Sequence, residues 1–410
     1  MAIPATFFAI KSSRLRNRKC FLKKFVATLL SLCIGLFLAD AVLSLLDDSL
    51  IQFWNLRLLT GVRGVVLPFS FLATVLTYLM MGITPMIPKR FFLPMTLFGP
   101  AVLLGTIPLS IYRFDQLPQI SWLVSLCQVL VGVGLLAWLQ GGFKFRWPMV
   151  PEGRVGNKAF GWMNLCGFVL IHLLVVVPAC LVYFAWCSSL ALDHFSAGFL
   201  ALRSDSLTVR AKEYVRNDGK TIYLIPMMHI GEAGFYQQIM KSFPTNSTIL
   251  LEGVTDRKNL LKHPISYKRV ASSLGLSEQK QQFEPTQGRP RPADVDVEQF
   301  SAKSIEFLNL ATLVHSQGFT AEVILQLIQK SQDSQMTKHL LEDLLTLRNE
   351  HLLKEIQEEL LRSDKIVVPW GAAHMQGLSE GIQKAGFNEA SSREYNVLQY
   401  STILNSLKSR

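Results

Sequence analysis

The sequence predicts two structural classes in one chain. Residues 1–187 read as an N-terminal α-helical membrane domain of about five spans. Residues 188–410 read as a C-terminal α/β domain with a mixed sheet flanked by helices. Three observations carry this division. Long apolar runs are confined to the first part, and all six cysteines lie there (Cys20, Cys33, Cys127, Cys166, Cys180, Cys187). The net charge of +11 also sits there, because residues 188–410 carry 25 basic and 25 acidic side chains. In the second part, short β-branched runs alternate with amphipathic helical stretches, the pattern of an α/β sheet.

The first run, Phe25–Leu46, follows a basic segment containing Lys11, Arg14, Arg16, Arg18, Lys19, Lys23 and Lys24. It is long enough to cross a bilayer and too long for a signal peptide's apolar core. Four more spans follow at about Gly64–Ile87, Phe91–Ile111, Ile120–Leu139 and Phe160–Cys187. Pro68, Pro94, Pro100 and Pro178 fall inside them, which membrane helices tolerate. With the N-terminus inside, thirteen basic residues flank the inner ends and three (Arg57, Arg63, Arg113) the outer ends. That bias puts the N-terminus in the cytoplasm and the polar half outside it. The basic excess is therefore topology charge beside lipid, and no nucleic-acid partner is expected. Asp40 and His172 lie within spans. Such groups mark function by default, though interfacial exposure for Asp40 and an interhelical bond for His172 are the plainer readings.

In the polar half, Leu207–Val215 and Thr221–Ile225 flank Asn217-Asp218-Gly219, which predicts a β-hairpin. The second strand ends at His229. Ala233–Ser242 suits a short helix, and Thr248–Leu251 a strand ending at Glu252. Ser277–Asp296 lacks periodicity and reads as a long loop or lid. Val297–Gln317, Thr320–Lys330 and Met336–Arg362 read as helices. Ile366-Val367-Val368 is a buried strand stopped at Pro369-Trp370-Gly371, and His374 follows it. A helix closes at Ile382–Ala385 before Gly386, and Tyr395–Tyr400 is the last strand.

Three strand ends thus offer His229, Glu252 and His374. Ligands bind at the carboxyl ends of strands in open α/β sheets, and a His/His/carboxylate set suits a divalent metal or general-base catalysis. Glu232 is a rival carboxylate, and Arg257 or Arg348 would pair Glu252 if its role were structural. Without cysteine, this half has no thiol nucleophile or thiolate ligand.

Together these motifs resemble the TraB/PrgY/GumN superfamily, which includes the Tiki proteases and, more distantly, the erythromycin esterases. The resemblance spans roughly residues 205–400. It rests on Gly371-Ala372-Ala373-His374 with Gly377, on Leu251-Glu252-Gly253, and on Arg348-Asn349. The first His motif departs: it reads Pro226-Met227-Met228-His229, with proline where the family has glycine. The resemblance implies a hydrolase acting on a peptide or a small ester or amide. His229, His374 and Glu252 would hold a divalent metal, and the same three with Arg348 would be the catalytic residues. It also implies two alternatives: a metal-free esterase in which His and Glu are base and orienter, and a protein that captures a peptide signal without cleaving it.

Overall fold

The computed structural model describes residues 5–143, 145–262, 266–317 and 334–409. The expected helix Thr320–Lys330 lies outside them, as does Lys144. The chain divides into two units, Met1–Cys187 and Ser188–Arg410, at the boundary expected from composition.

The first unit has five helices long and apolar enough to span a bilayer, as in an integral membrane protein. They are α1 (Ala5–Trp54), α2 (Thr60–Ile83), α3 (Lys89–Tyr112), α4 (Leu117–Gln140) and α5 (Trp162–Phe195). Helix α1 outruns its apolar segment because lysine and arginine are good helix formers and carry the helix into the basic region. A π-helical turn at His172–Val176 interrupts α5. The His172 imidazole bridges α5 to α2: Tyr78 Oη and His172 Nε2 are 2.9 Å apart, and Nδ1–H donates to the Phe168 carbonyl. That is the interhelical bond expected for it. Asp40 departs from its expected interfacial position, being buried at 4% exposure.

The second unit is built on a seven-stranded mixed sheet in the order β1-β2-β3-β8-β5-β7, with β9 also paired to β2. Its strands are β1 (Leu200–Leu202), β2 (Ser206–Val215), β3 (Thr221–Met227), β5 (Thr248–Leu251), β7 (Arg289–Pro292), β8 (Lys365–Gly371) and β9 (Asn388–Gln399). A separate two-residue pair joins β4 (Ile230–Gly231) to β6 (Ser277–Glu278). The β2–β3 hairpin forms as expected, and Gly219 supplies the φ of +82° that its turn needs. Strands β3, β8, β5 and β7 run parallel, so their carboxyl ends share one edge.

Helices α6 (Ala233–Lys241), α7 (Ala302–Gln317), α8 (Arg348–Glu359), α9 (Met375–Lys384) and α10 (Tyr400–Lys408) also belong to this unit, with shorter helices at Lys268–Ser273 and Ser334–Leu341. A π-helical stretch, Glu342–Leu347, precedes α8. Leu352, Ile356, Leu378 and Ile382 from α8 and α9 pack with Ile222, Leu224, Ile366, Val368 and Trp370 from the sheet. Phe235, Tyr236 and Ile239 of α6 join Ile225, Ile249 and Val367 in a second cluster. The alternation of Ile366/Val368 and Val367 between the two clusters is the period-two pattern of a strand buried on both faces.

Three expectations are corrected. The last strand is not Tyr395–Tyr400: β9 begins at Asn388 and ends at Gln399, and Tyr400 opens α10. Strand β8 does not stop at Pro369; it runs to Gly371. Its pairing with β5 ends at Val367, so from Pro369 onward it is held by β3 alone, and the Trp370 indole donates to the Leu250 carbonyl on the open side (2.9 Å). The stretch Ser277–Asp296 is not one long loop, because it contains β6, a helical turn at Gln279–Gln282, and β7. Strand β7 reads Arg-Pro-Arg-Pro. Arg289 N–H donates to Ser247 O and Ala293 N–H to Leu251 O. The odd-numbered residues thus face β5, and Pro290 and Pro292 turn their missing N–H outward at the sheet edge, where no donor is needed.

Candidate functional site

Glu252 follows β5, His374 closes a 3₁₀ turn after β8, and Asp294 lies two residues beyond β7. All three are therefore delivered to the carboxyl edge of the parallel strands. Arg348 enters from the first residue of α8 and joins them. Its Nε donates to Asp294 Oδ1 (3.0 Å) and its Nη2 to Asp294 Oδ2 (2.6 Å), a bidentate fork. Nη2 also donates to Glu252 Oε1 (2.9 Å), and Nη1 donates to His374 Nε2 (3.1 Å). The guanidinium lies 5.3 Å from the Trp370 ring centroid. The Arg348 and Asp294 side chains are 11% and 0% exposed, so this is a buried ion cluster. Burial alone would lower the arginine's pKa, but Asp294 and Glu252 outweigh it and hold it above its ordinary value.

These contacts fix the tautomer of His374. Arginine only donates, so His374 Nε2 must accept and Nδ1 must carry the proton. Nδ1–H then donates to Asn349 Oδ1 at 2.8 Å. Burial first, and the Arg348 charge second, push the imidazole's pKa down to about 4. His374 is thus neutral near pH 7, with a lone pair on Nε2. Gly377 is needed for this arrangement, because a Cβ there would lie 2.6 Å from Asn349 Nδ2.

Glu252 is held at both oxygens. Oε2 accepts from Gly371 N–H at 2.5 Å, and Oε1 takes the Arg348 bond and lies 3.7 Å from His374 Nε2. At 14% exposure it is the most accessible of the four acidic or basic groups in the cluster. Its partner is Arg348, whereas Arg257 lies 3.8 Å from Asp296. Glu232, the rival carboxylate, accepts from Gln399 N–H and Thr402 Oγ1, which ties α6 to the end of β9.

His229 lies at the same sheet edge, two residues past β3, which pairs directly with β8. It is exposed, and its imidazole stacks on Tyr267 with centroids 5.0 Å apart and planes 6° apart. Burial raises the Tyr267 pKa, and the charges of Glu278 and Glu252 add to it. Pro226 sits inside β3 opposite Trp370, so this proline falls in the strand and not in the turn that carries His229.

The structure therefore brings Glu252, Arg348 and His374 together and leaves His229 at the rim, stacked on Tyr267. In this arrangement the donor set does not fit a divalent ion. The Arg348 guanidinium holds Glu252 Oε1 and His374 Nε2, the atoms a metal would need. Among the described residues, no three His, Cys, Asp or Glu side chains are grouped to hold a metal ion. Two members were not singled out from sequence as functional. Asp294 was hidden in a stretch with no periodicity, although Pro290 and Pro292 signal an edge strand just before it. Asn349 was noted only as Arg348's neighbour; its position one residue on in the same helix was the available signal. No family model matches the chain, and no curated protein or solved structure matches it.

Proposed function

We propose that this protein is a membrane-anchored hydrolase whose polar unit cleaves an ester or amide bond outside the cytoplasm without a metal. The observation supporting this reading is the Arg348 hub. One guanidinium organises a neutral imidazole and two carboxylates at the edge where α/β sheets bind ligands. With Glu252 and Asp294 against Arg348, the cluster carries a formal charge of −1. It therefore disfavours a substrate carboxylate and suits a neutral carbonyl. His374 supplies an unprotonated Nε2, and Asn349 holds its tautomer. Substrate binding moves Arg348 Nη1 from His374 to the carbonyl oxygen. The freed Nε2 lone pair takes a proton from water as the water oxygen bonds to the carbonyl carbon, with the Glu252 carboxylate offsetting the charge the imidazole gains; the same proton passes to the leaving oxygen or nitrogen as its bond to that carbon breaks. The guanidinium then meets the charge that develops on the oxyanion. The extracytoplasmic placement rests on the thirteen-to-three bias of basic residues.

The experiment uses full-length protein in detergent, with hydrolysis of ester, amide and peptide probes measured beside bound metal. In folded His374→Ala, turnover is expected to fall at least a hundredfold. In His229→Ala, a rim residue, it falls far less. Full turnover in His374→Ala overturns the reading. Turnover abolished by chelation and restored by a divalent ion replaces it with the metal mechanism, His229 included. Wild type that binds a peptide but never cleaves it replaces it with signal capture.

A further inference from the structure

Helix α1 carries four buried polar side chains on one face: Asp40, Ser44, Asp47 and Asp48. The spacing of four, seven and eight residues is that of a single helical stripe. Ser121, Ser125 and Gln128 of α4 face it, again at helical spacing. Ser121 and Ser125 both donate to Asp48 Oδ2 (2.9 and 2.6 Å). Gln128 Nε2 donates to Asp40 Oδ2 at 2.8 Å. At the α1–α2 end of the seam, Arg63 donates to Asp48 Oδ1 (2.6 Å) and Thr60 to Asp47 (3.0 Å). A polar seam thus runs from that end into the helical unit, with Asp47 and Asp48 sharing one guanidinium and Asp40 beyond its reach.

Asp40 is its inner terminus, seven to eight residues and about 11 Å of helix from the Arg63 pair. Its Oδ2 points at α4, but its Oδ1 is buried and has no hydrogen-bond partner. An ionised carboxylate there lacks a counter-charge, and in a bilayer its desolvation costs several kcal/mol. Among the described residues, no other ionisable group faces Asp40. The Cys33–Thr77 and Asp47–Thr60 contacts put the buried Ser70 of α2 at the level of Asp40, within a stretch free of ionisable residues. On α4 the nearest is Cys127, which is exposed and on another face. Helix α3 reaches this region through Phe98 on Phe37, and its neighbouring residues are also uncharged.

We propose that Asp40 is an intramembrane proton-binding site, loaded and emptied through the Ser44–Asp47–Asp48 seam. The proton comes from water at the α1–α2 end, adds to the free carboxylate oxygen, and returns the same way. A proton neutralises the carboxylate without needing space for an ion. The site is independent of the polar unit's chemistry.

The test is labelling of full-length protein with a hydrophobic carbodiimide, which attacks protonated carboxyls in apolar surroundings. One label per chain is expected near neutral pH, mapped to Asp40, declining at alkaline pH and absent from Asp40→Asn. Gln128→Leu removes the one donor to Oδ2 and leaves both carboxylate oxygens without a partner, so labelling is expected to increase. Asp40→Asn keeps the shape of the side chain, and comparison of its thermal unfolding with wild type checks folding. Equal labelling of Asp40→Asn, or no labelling of folded wild type at any pH, overturns the proposal. Protection by sodium at constant pH, with no dependence on pH itself, overturns it in favour of a sodium site.

Discussion

Removing the guanidinium of Arg348 should be the most damaging single change in the polar unit. Arg348→Leu keeps a similar stem but leaves Asp294, with a fully buried side chain, and Glu252 facing each other without a cation. Breaking a buried pair in this way costs about 3–5 kcal/mol, mostly as the uncompensated charge left behind. The loss is expected to register first in β8 and β5, whose ends carry His374 and Glu252. Amide hydrogen exchange on full-length protein in detergent reads it directly. At about 1.4 kcal/mol per tenfold, exchange in Ile366–Val368 and Ile249–Leu250 should accelerate by roughly 10²–10³-fold. Helix α4 in the membrane unit serves as the internal control and should not change. Arg348→Lys keeps the charge but loses the planar fork, so its effect should be intermediate. Unchanged protection of β8 and β5 in Arg348→Leu would refute the view that this ion cluster holds the sheet edge together.

The folded pKa of His374, about 4, lies below its ordinary 6.5, so the unfolded chain binds its proton first. This stabilising contribution is complete above about pH 6.5 and is lost as pH falls towards 4. It amounts to about 3 kcal/mol. The difference in stability between wild type and His374→Gln, followed by exchange from pH 7 to pH 4, should narrow by that order; a constant difference would contradict the assignment. Gly377→Ala places a methyl against Asn349 Nδ2, displacing the amide that holds His374. It should destabilise by about 1–3 kcal/mol and reduce any hydrolysis by at least tenfold; wild-type turnover would show that Asn349 is not needed. For topology, Thr286→Cys in a background without the six native cysteines should react with an impermeant maleimide on intact cells. Reaction only after the cells are opened would put the polar unit inside.

Hydropathy and local periodicity determined much of this protein by themselves. Five apolar helices, the change of class near residue 188, the Asn217–Gly219 hairpin and the helix ending before Gly386 were all legible, because each depends on residues within a few turns of one another. So was the strand-end placement of Glu252 and His374, since a short apolar run followed by a small residue marks where a buried strand surfaces. The partners of those side chains were not legible. Glu252 could have paired with Arg257, five residues on; it pairs with Arg348, 96 residues away, because the helix that carries Arg348 passes over the edge where β5 and β8 end. Asp294 joined the site only once β7 had docked beside β5, and the prolines that permit an edge strand also erase the alternation by which strands are recognised. The same holds within the membrane unit. Sequence gave Asp40 a span, but only the packing of α4 against α1 decided that Gln128 meets one of its oxygens and that the other meets nothing. Local pattern sets which elements form. Which charges face one another is set by contacts closed across long stretches of chain, and only the packed tertiary structure specifies those.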